Sequence, residues 1–345
     1  MNENVLENIA NQMVVNGKGI LAADESSSTA DKRFEAVGVE KTEENRRLYR
    51  QLLFTTPNVG DYLSGVILYD ETFWQITGDG QPFPKILEKS GILPGIKVDQ
   101  KLTDLPGFPG EKVSKGLDTL PERITKYAEN GAKFAKWRSV ITIGEGIPTI
   151  PCIEANAYVL ARYARICQDV NIVPMVEPEV LLEGSHTIEQ CAEVLAKTLD
   201  VLFGAMKEFR VHLPGAILKT SMVLPGNKSG QLINADQVAE LTGSVLRAYV
   251  PAELGGVVFL SGGQSSADAM INLNRIAGRG PYPWGLTFSY SRALQGPVLK
   301  AWAAGNGGTI NVFVDQLRYA TAAREGKLDE THLNIDDHVS GSQDL

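Results

Sequence analysis

The stretch GAILKTSMVLPG, residues 215–226, places a lysine, Lys219, at the end of a short apolar run. A short apolar run bounded by glycine and proline is typical of a buried strand. Lysine is among the residues that are least often fully buried. A lysine at this position therefore needs either an ionic partner or a chemical function.

The same pattern, an apolar run that stops at a polar or charged residue, occurs eight times along the chain. The terminal polar residues of successive runs lie 29 to 46 residues apart, which leaves room for a loop and a helix between them. The eight runs are GILAAD (19–24), GVILYD (65–70), GIKVD (95–99), FAKWR (134–138), IVPMVEPE (172–179), AILKTS (216–221), VVFLSGG (257–263) and LTFSYSR (286–292).

Three of the intervening stretches, 153–169, 188–209 and 235–249, have apolar residues at helical spacing, and the last follows Asn234, a good helix N-cap. Strands that alternate with helices predict a parallel sheet, and eight such units predict an α/β fold of the (β/α)8 TIM barrel type. An open doubly wound sheet is the alternative. The first run lacks a following GxGxxG, which counts against the dinucleotide-binding form of that alternative.

No linker or shift in composition divides the 345 residues, so we predict a single barrel domain over 1–345. The polar, acidic tail from about residue 329 has the composition of a flexible chain end. The Gly/Pro-rich segment LPGFPGEKVSKGLD (105–118) predicts a long loop after the third strand, and long loops in compact domains are often functional.

Charge and composition limit the partners. The net charge is −8 and the sequence contains no basic run, so we expect no nucleic-acid partner. The amino terminus lacks a signal-peptide pattern, and no apolar run approaches membrane-spanning length, so we expect no membrane partner. Three cysteines without CxxC spacing are typical of a reducing compartment. Together these features predict a cytoplasmic protein.

The strand ends carry the candidate chemistry. In a TIM barrel, residues at the carboxyl ends of the strands face the active site, and alternate side chains point inward. This alternation groups Lys97 with Asp99, Lys136 with Arg138, Glu177 with Glu179, and Lys219 with Ser221. Several acids, lysines and an arginine should therefore converge on one mouth of the barrel.

Lys219 is a candidate nucleophile, because burial and nearby cations lower the pKa of a lysine and free its amine to attack a carbonyl. Lys136 and Arg138 would supply those cations. Glu177, between apolar Val176 and a proline, is a candidate proton shuttle with a raised pKa. The alternative is a buried ion pair of Glu177 with Lys219 or Lys136. Asp24 is a candidate base for a substrate hydroxyl or, equally, a helix N-cap.

Two groups of residues are candidate anion sites, which would suit a substrate phosphorylated at both ends. Barrels often bind phosphate at the loops after the seventh and eighth strands, and arginine suits phosphate well. One group follows those strands: Ser261, Gly262, Gly263, Ser291 and Arg292. The other follows the first strand, where the alternative is a Ser-rich helix start: Ser26, Ser27, Ser28, Thr29, Lys32 and Arg33.

We expect no metal site, because the four histidines, at 186, 212, 332 and 338, are scattered and none has metal-ligand spacing with another.

Taken together and in order, eight motifs resemble the class I fructose-1,6-bisphosphate aldolases over residues 12 to 320. The motifs are GILAADES, TEENRRLYRQLL, GIKVD, FAKWR, VPMVEPE, LKTSMVLPG, FLSGGQS and FSYSRALQ. The resemblance implies a lyase without metal or cofactor, typically a homotetramer, that acts in glycolysis and gluconeogenesis. It would cleave fructose 1,6-bisphosphate reversibly to dihydroxyacetone phosphate and glyceraldehyde 3-phosphate through a lysine Schiff base.

The resemblance also implies roles for individual residues. Lys219 matches the imine-forming lysine, Glu177 the proton-transferring glutamate, and Asp24 the aspartate that assists cleavage of the carbon–carbon bond. Lys136 and Glu179 match neighbours that tune the site. Matching substrate-binding positions are Arg33, Lys97 and Arg138 in the pocket, Ser261, Gly262, Gly263 and Arg292 at the phosphate next to the imine, and Ser26 and Thr29 near the other phosphate.

The chain also departs from the family pattern. Many members end in a tyrosine that exchanges a substrate proton, whereas this chain ends in GSQDL. Thr220 stands where proline is usual, and Ser291 where glycine is common. Two alternative functions remain: another Schiff-base sugar-phosphate barrel similar to transaldolase, and a non-catalytic scaffold with the aldolase fold.

Overall fold

Eight parallel strands close into a barrel in a computed structural model of the chain, which describes residues 1–305 and 307–333. Each predicted run contributes one strand, and the closed order excludes an open sheet. The TIM barrel prediction is confirmed. The barrel strands are β1 (Gly19–Ala23), β2 (Leu63–Leu68), β3 (Leu93–Lys97), β6 (Phe134–Ile141), β7 (Val173–Val180), β8 (Ile217–Thr220), β9 (Gly256–Phe259) and β10 (Leu286–Tyr290). A two-stranded hairpin, β4 (Leu102–Asp104) and β5 (Lys112–Ser114), lies outside the barrel.

Helices precede, separate and follow the barrel strands. Those that flank strands β1 to β6 are α1 (Glu3–Met13), α2 (Ser27–Ala36), α3 (Glu43–Phe54), α4 (Asp70–Trp74), α5 (Phe83–Lys89) and α6 (Leu120–Glu129). The later ones are α7 (Ile150–Asp169), α8 (Ile188–Glu208), α9 (Ala235–Tyr249), α10 (Ser266–Gly278), α11 (Arg292–Ala303) and α12 (Thr309–Arg324). Short 3-10 turns cover Val59–Asp61, Leu213–Gly215 and Glu330–His332.

The three predicted helices are present, with small changes at two ends. Helix α9 has its predicted bounds, and the Asn234 side chain caps it by accepting bonds from two backbone N–H groups. Helix α7 begins three residues before its predicted start, because the Thr149 hydroxyl accepts a bond from the Cys152 N–H and caps it there. Helix α8 ends one residue before its prediction.

The barrel interior is filled by alternate strand residues, and helix α1 closes its lower end. Phe134 belongs to this layer, and a Cβ on Gly65 or Gly95 would press against its ring. Both positions are therefore glycine because the aromatic ring takes the space of their side chains. The interior cluster contains Ile20, Ala22, Ile67, Phe134, Val173, Met175, Ile217 and Val258 from the strands and Leu6, Ala10, Met13 and Val14 from α1 and its carboxyl end.

The segment 105–118, predicted as a long loop, includes strand β5 of the β4–β5 hairpin, which is fixed to the barrel mouth. The Glu111 carboxylate accepts bonds from the Thr149 backbone N–H at 2.7 Å and from its hydroxyl at 2.6 Å. The Ser114 hydroxyl donates to the backbone carbonyl of Arg138. Packing onto β6 and α7 thus gives this Gly/Pro-rich segment a defined position beside a candidate substrate residue.

The carboxyl-terminal tail begins with an ordered turn. Glu330 accepts hydrogen bonds from Asn274 at 3.2 Å and from Arg275 at 3.1 Å, which hold Glu330–His332 against α10. The rest of the tail that we expected to be flexible, 334–345, lies outside the described residues. Within the described part of the chain, no helix combines the length and apolar character needed to cross a membrane.

Candidate active site

Four charged side chains from four barrel strands, or just beyond them, form a continuous chain of ion pairs at the barrel mouth. Asp24 Oδ2 lies 2.7 Å from Lys136 Nζ. Lys136 Nζ lies 3.0 Å from Glu177 Oε2, and Glu177 Oε1 lies 3.0 Å from Lys219 Nζ. All four residues are buried. The structure thus brings together the proposed nucleophile, proton shuttle and base, and Asp24 is not a helix N-cap because Ser26 caps α2.

Strand geometry explains this convergence. The interior apolar layer includes Phe134, Met175 and Ile217, one from each of three adjacent strands. Side chains two residues further along a strand point to the same side, one step nearer the carboxyl end. Those positions are Lys136, Glu177 and Lys219. The charged chain therefore lies directly on the apolar layer, which supports it from below.

The pKa of Glu177 differs from the prediction made from the sequence. Burial alone would raise the pKa of this carboxyl, but Lys136 and Lys219 outweigh it and hold the pKa well below its usual range. The predicted raised pKa is therefore wrong for the ligand-free protein. Burial of Lys136 opposes its charge, yet Asp24 and Glu177 raise the pKa of Lys136 above its usual value. Lys136 is thus held as a cation between two carboxylates.

A second set of charges lies beside the first, on strands β3, β6 and β7. Lys97 Nζ is 2.7 Å from Asp99 Oδ1, and the other oxygen of Asp99 accepts a bond from the Arg138 backbone N–H at 3.3 Å. Arg138 forms an ion pair with Glu179. Glu179 therefore contacts Arg138, a candidate substrate-binding residue, directly.

The candidate phosphate residues after the seventh and eighth barrel strands lie near one another. Gly262 and Gly263 both adopt positive φ, at 44° and 85°, which exposes their backbone in a tight turn after β9. A Cβ on Gly263 would lie 3.8 Å from the guanidinium of Arg292, at the start of α11. A cavity of about 280 Å³ opens here, lined among others by Gly263, Arg292 and Arg33.

The hydroxyl-rich segment after β1 is both a helix start and part of the mouth. The Ser26 hydroxyl accepts a bond from the Thr29 N–H at 3.3 Å and lies 3.0 Å from the Ser28 hydroxyl. Ser26 is therefore the N-cap of α2, which is the alternative that the sequence left open for this segment. Arg33, one turn further along α2, contacts Glu25 and also Ser291, which directly follows the neighbouring strand β10.

Glu25 is a residue that the sequence analysis missed. Its buried carboxylate accepts hydrogen bonds from Arg33, Arg50, Ser291 and Gln295. Burial would raise the pKa of Glu25, but Arg50 and Arg33 hold it far below its usual value. The available signal was Arg50 itself, a charged residue three positions before buried Leu53 on the apolar face of α3.

Comparison with known proteins identifies relatives over most of the chain. The family model for glycolytic fructose-bisphosphate aldolase class I matches residues 5–340. A probable fructose-bisphosphate aldolase class 1 of Xanthomonas campestris is 51% identical over 321 residues, 93% of this chain and 96% of that protein. The cytosolic fructose-bisphosphate aldolase 4 of Arabidopsis thaliana is 50% identical over 287 residues, 83% of this chain and 73% of that protein.

A solved structure gives the same relationship in three dimensions. It is the Plasmodium falciparum fructose-bisphosphate aldolase in complex with TRAP and a small-molecule inhibitor. It matches with a TM-score of 0.92 at 45% identity, covering 95% of this chain and 96% of that one. Sequence, fold and strand-end chemistry agree, and the chain belongs to the class I fructose-bisphosphate aldolase family.

Proposed function

We propose that this enzyme, a metal-independent fructose-bisphosphate aldolase, forms its Schiff base at Lys219. Its reaction is the reversible cleavage of fructose 1,6-bisphosphate to dihydroxyacetone phosphate and glyceraldehyde 3-phosphate. One observation carries the assignment: Lys219 Nζ, buried at the barrel mouth, lies 3.0 Å from the Glu177 carboxylate. A nucleophile next to a proton acceptor is the arrangement that covalent catalysis needs.

Glu177 manages the protons of imine formation. As a carboxylate it accepts a proton from the Lys219 ammonium, and the free amine then attacks C2 of the substrate ketone. The resulting carbinolamine loses its hydroxyl as water when Glu177 returns a proton to that oxygen. The nitrogen lone pair then forms the C=N bond, which gives a protonated imine. Hydrolysis at the end of the cycle reverses these steps.

Asp24 acts next, on the substrate hydroxyl at C4. Its carboxylate, 2.7 Å from Lys136, takes the hydroxyl proton as the C4 oxygen forms the aldehyde carbonyl and the C3–C4 bond breaks. The electron pair of that bond moves into the imine and gives an enamine. Glyceraldehyde 3-phosphate leaves. The enamine is protonated at C3 and hydrolysed, which releases dihydroxyacetone phosphate and the Lys219 amine.

The two phosphates bind at different positions around the mouth. The phosphate on C1, next to the imine, binds the turn after β9 and the start of α11. Its residues are Ser261, Gly262, Gly263, Ser291 and Arg292. The other phosphate binds near the hydroxyls of Ser26 and Thr29. The basic residues Arg33, Lys97 and Arg138 line the substrate pocket. Glu179 orients Arg138 through their ion pair.

Borohydride trapping tests the proposal. The protein is incubated in EDTA with dihydroxyacetone phosphate and reduced, and peptide mass spectrometry locates the adduct. We expect a substrate-dependent adduct on Lys219, no adduct in a Lys219→Arg variant, and normal labelling in a variant of an exposed helix lysine, Lys207→Arg. An adduct on Lys136, or no adduct together with EDTA-sensitive activity, would overturn the assignment.

The cellular setting is part of the proposal. The acidic charge of the chain and the cytosolic relative in Arabidopsis support a cytoplasmic enzyme of glycolysis and gluconeogenesis that has no nucleic-acid or membrane partner. The unbroken composition supports a single domain, and the family resemblance supports a homotetramer. Light scattering at micromolar concentration tests the assembly: a monomer mass would contradict the tetramer.

A further inference from the structure

Ser291 forms a hydrogen-bonded connection between the segments that follow two neighbouring barrel strands, β10 and β1. Its hydroxyl donates to Glu25 Oε1, just beyond strand β1, and accepts a bond from Arg33 of α2 at 3.1 Å. Ser291 itself directly follows β10 and precedes Arg292. Its side chain forms no cap bond to α11. The hydroxyl is therefore directed to Glu25 and Arg33, a contact that glycine, common here in the family, could not make.

The charges around this hydroxyl leave Arg33 available to an anion. The Glu25 carboxylate pairs with two arginines, Arg33 and Arg50. The Arg50 side chain is 6% exposed, whereas that of Arg33 is 20% exposed. Arg50, the more deeply buried arginine, can balance the charge of Glu25 from below. The group then carries one net positive charge, and its more accessible cation is Arg33.

The side-chain amide of Gln295 also fixes the Glu25 carboxylate. The Gln295 Nε2 group donates to Glu25 Oε1 at 2.8 Å and to the Ala22 carbonyl at 2.8 Å, and Arg50 donates to the Gln295 Oε1 at 3.1 Å. Glu25 is thus held from several directions. A carboxylate fixed in this way can orient the mobile side chain that contacts it, because the partner loses little further freedom on binding.

We propose that Ser291 is a positioning residue that aims Arg33 at the phosphate next to the imine. Without the Ser291 hydroxyl, Arg33 keeps one contact, to Glu25, and can turn toward the segment after β1. With the Ser291 hydroxyl present, Arg33 has a second contact, to the residue that directly precedes Arg292, and both arginines line the same cavity. This inference rests on the proposed function, which places the C1 phosphate beside Ser291 and Arg292, and it identifies Ser291 as a determinant of affinity for C1-phosphorylated substrates.

Three variants of one residue test this role. Ser291→Ala removes the hydroxyl, Ser291→Gly restores the residue common in the family, and Ser291→Thr keeps a hydroxyl. A hydrogen bond to a charged group is worth roughly a tenfold change in binding, so we expect Ser291→Ala and Ser291→Gly to raise KM about tenfold. The increase should be equal for fructose 1,6-bisphosphate and fructose 1-phosphate, with kcat unchanged. Ser291→Thr should restore most of the affinity.

Two further measurements separate positioning from a general structural effect. The inhibition constant of inorganic phosphate should rise with KM in Ser291→Ala, whereas Ser244→Ala, at an exposed serine of α9, should change neither. In an Arg33→Ala background, Ser291→Ala should add no further loss, because its effect passes through Arg33. Additive losses in the double variant would overturn this route.

The outcomes also separate this inference from the proposed function. If the wild type forms no borohydride adduct on Lys219, the proposed function fails first. If the wild type is trapped normally and Ser291→Ala shows an unchanged KM, only the role of Ser291 fails. A fall in kcat at constant KM would likewise overturn positioning, since the hydroxyl would then act in the chemical step.

Discussion

Lys219 and Glu177 lie 3.0 Å apart at the barrel mouth, and the second oxygen of the same carboxylate lies 3.0 Å from Lys136. One carboxylate therefore forms ion pairs with two lysines. Because both lysines hold the pKa of Glu177 low, the ionised form of this carboxyl is favoured. We expect Glu177 first to take a proton from Lys219 and only afterwards to return one to the carbinolamine.

Replacing Glu177 by glutamine tests that order. The amide keeps the size of the side chain but cannot accept a proton from Lys219. General acid–base groups contribute about 10²- to 10⁴-fold, so we expect kcat to fall within that range. The rate of borohydride trapping with dihydroxyacetone phosphate should fall in parallel, since imine formation itself is slowed. Glu129→Gln, at an exposed helix position, is the control. Unchanged trapping would assign the proton transfer to another group.

Lys136 should set the acid side of the pH profile. Burial favours a high pKa for Glu177, and Lys136 is the strongest influence that lowers it. A Lys136→Met variant should therefore have a higher pKa at Glu177, so that activity is lost at a higher pH than in the wild type as the solution is acidified. Breaking this buried pair should also destabilise the protein by about 3–5 kcal/mol.

The measurement is kcat against pH on folded protein, with unfolding followed in urea. Lys136→Arg, which keeps the charge, should retain the acid limb of the wild type more closely than Lys136→Met does. An acid limb that stays in place in Lys136→Met would show that Lys136 does not control the ionisation of Glu177.

The barrel and the centre of its site could be predicted from sequence because both depend on local patterns. Each strand is an apolar run between turn residues, and the alternation along it fixes which side chain points inward. Lys136, Glu177 and Lys219 lie two residues beyond the interior residues Phe134, Met175 and Ile217. Their convergence required only that the strands be parallel neighbours.

The features that could not be predicted from the sequence depend on contacts between distant segments. The α1 helix closes the barrel floor, yet an amphipathic pattern does not say which surface its apolar face will cover. Glu25 binds Arg50, 25 residues away, and Ser291, 266 residues away. The direction of the Glu177 pKa depends on two distances of 3.0 Å, which no spacing rule supplies.

Gly95 should be intolerant of a side chain because of Phe134. A Cβ on Gly95 would overlap the Phe134 ring in the interior layer. We expect Gly95→Ala to destabilise the protein by about 1–3 kcal/mol, the usual cost of overpacking a core. Adding Phe134→Leu should recover part of that loss by making room. Urea unfolding measures both.

Gly204 provides a matched control in helix α8. It is exposed, and a Cβ there would meet nothing within 4 Å. Gly204→Ala should stabilise the protein by about 0.5–1 kcal/mol, because alanine favours helix more than glycine does. If the losses in the free energy of unfolding from Phe134→Leu and Gly95→Ala simply added in the double variant, overlap with the Phe134 ring would not be the cause of the Gly95→Ala loss.

Glu25 should make the stability of the enzyme depend on pH in the acid range. Burial would raise its pKa, but Arg50 and Arg33 hold the pKa far below the ordinary value of 4.5. A carboxyl with a lowered pKa contributes stability that is complete above its unfolded value and lost as the pH falls toward its folded value. Removing one partner of a buried ion pair costs about 3–5 kcal/mol, so Glu25→Gln should lose that amount at pH 7.

The difference between wild type and Glu25→Gln should then narrow as the pH falls below 4.5, because the wild type loses the contribution of the ionised carboxylate and the amide does not. Free energies of urea unfolding between pH 3 and pH 7 measure this. Glu35→Gln breaks an exposed pair with Lys41 and should change stability by less than about 1 kcal/mol throughout. A Glu25→Gln difference that is the same at both ends of the range would mean that the carboxylate charge, as opposed to its shape, contributes nothing to the fold.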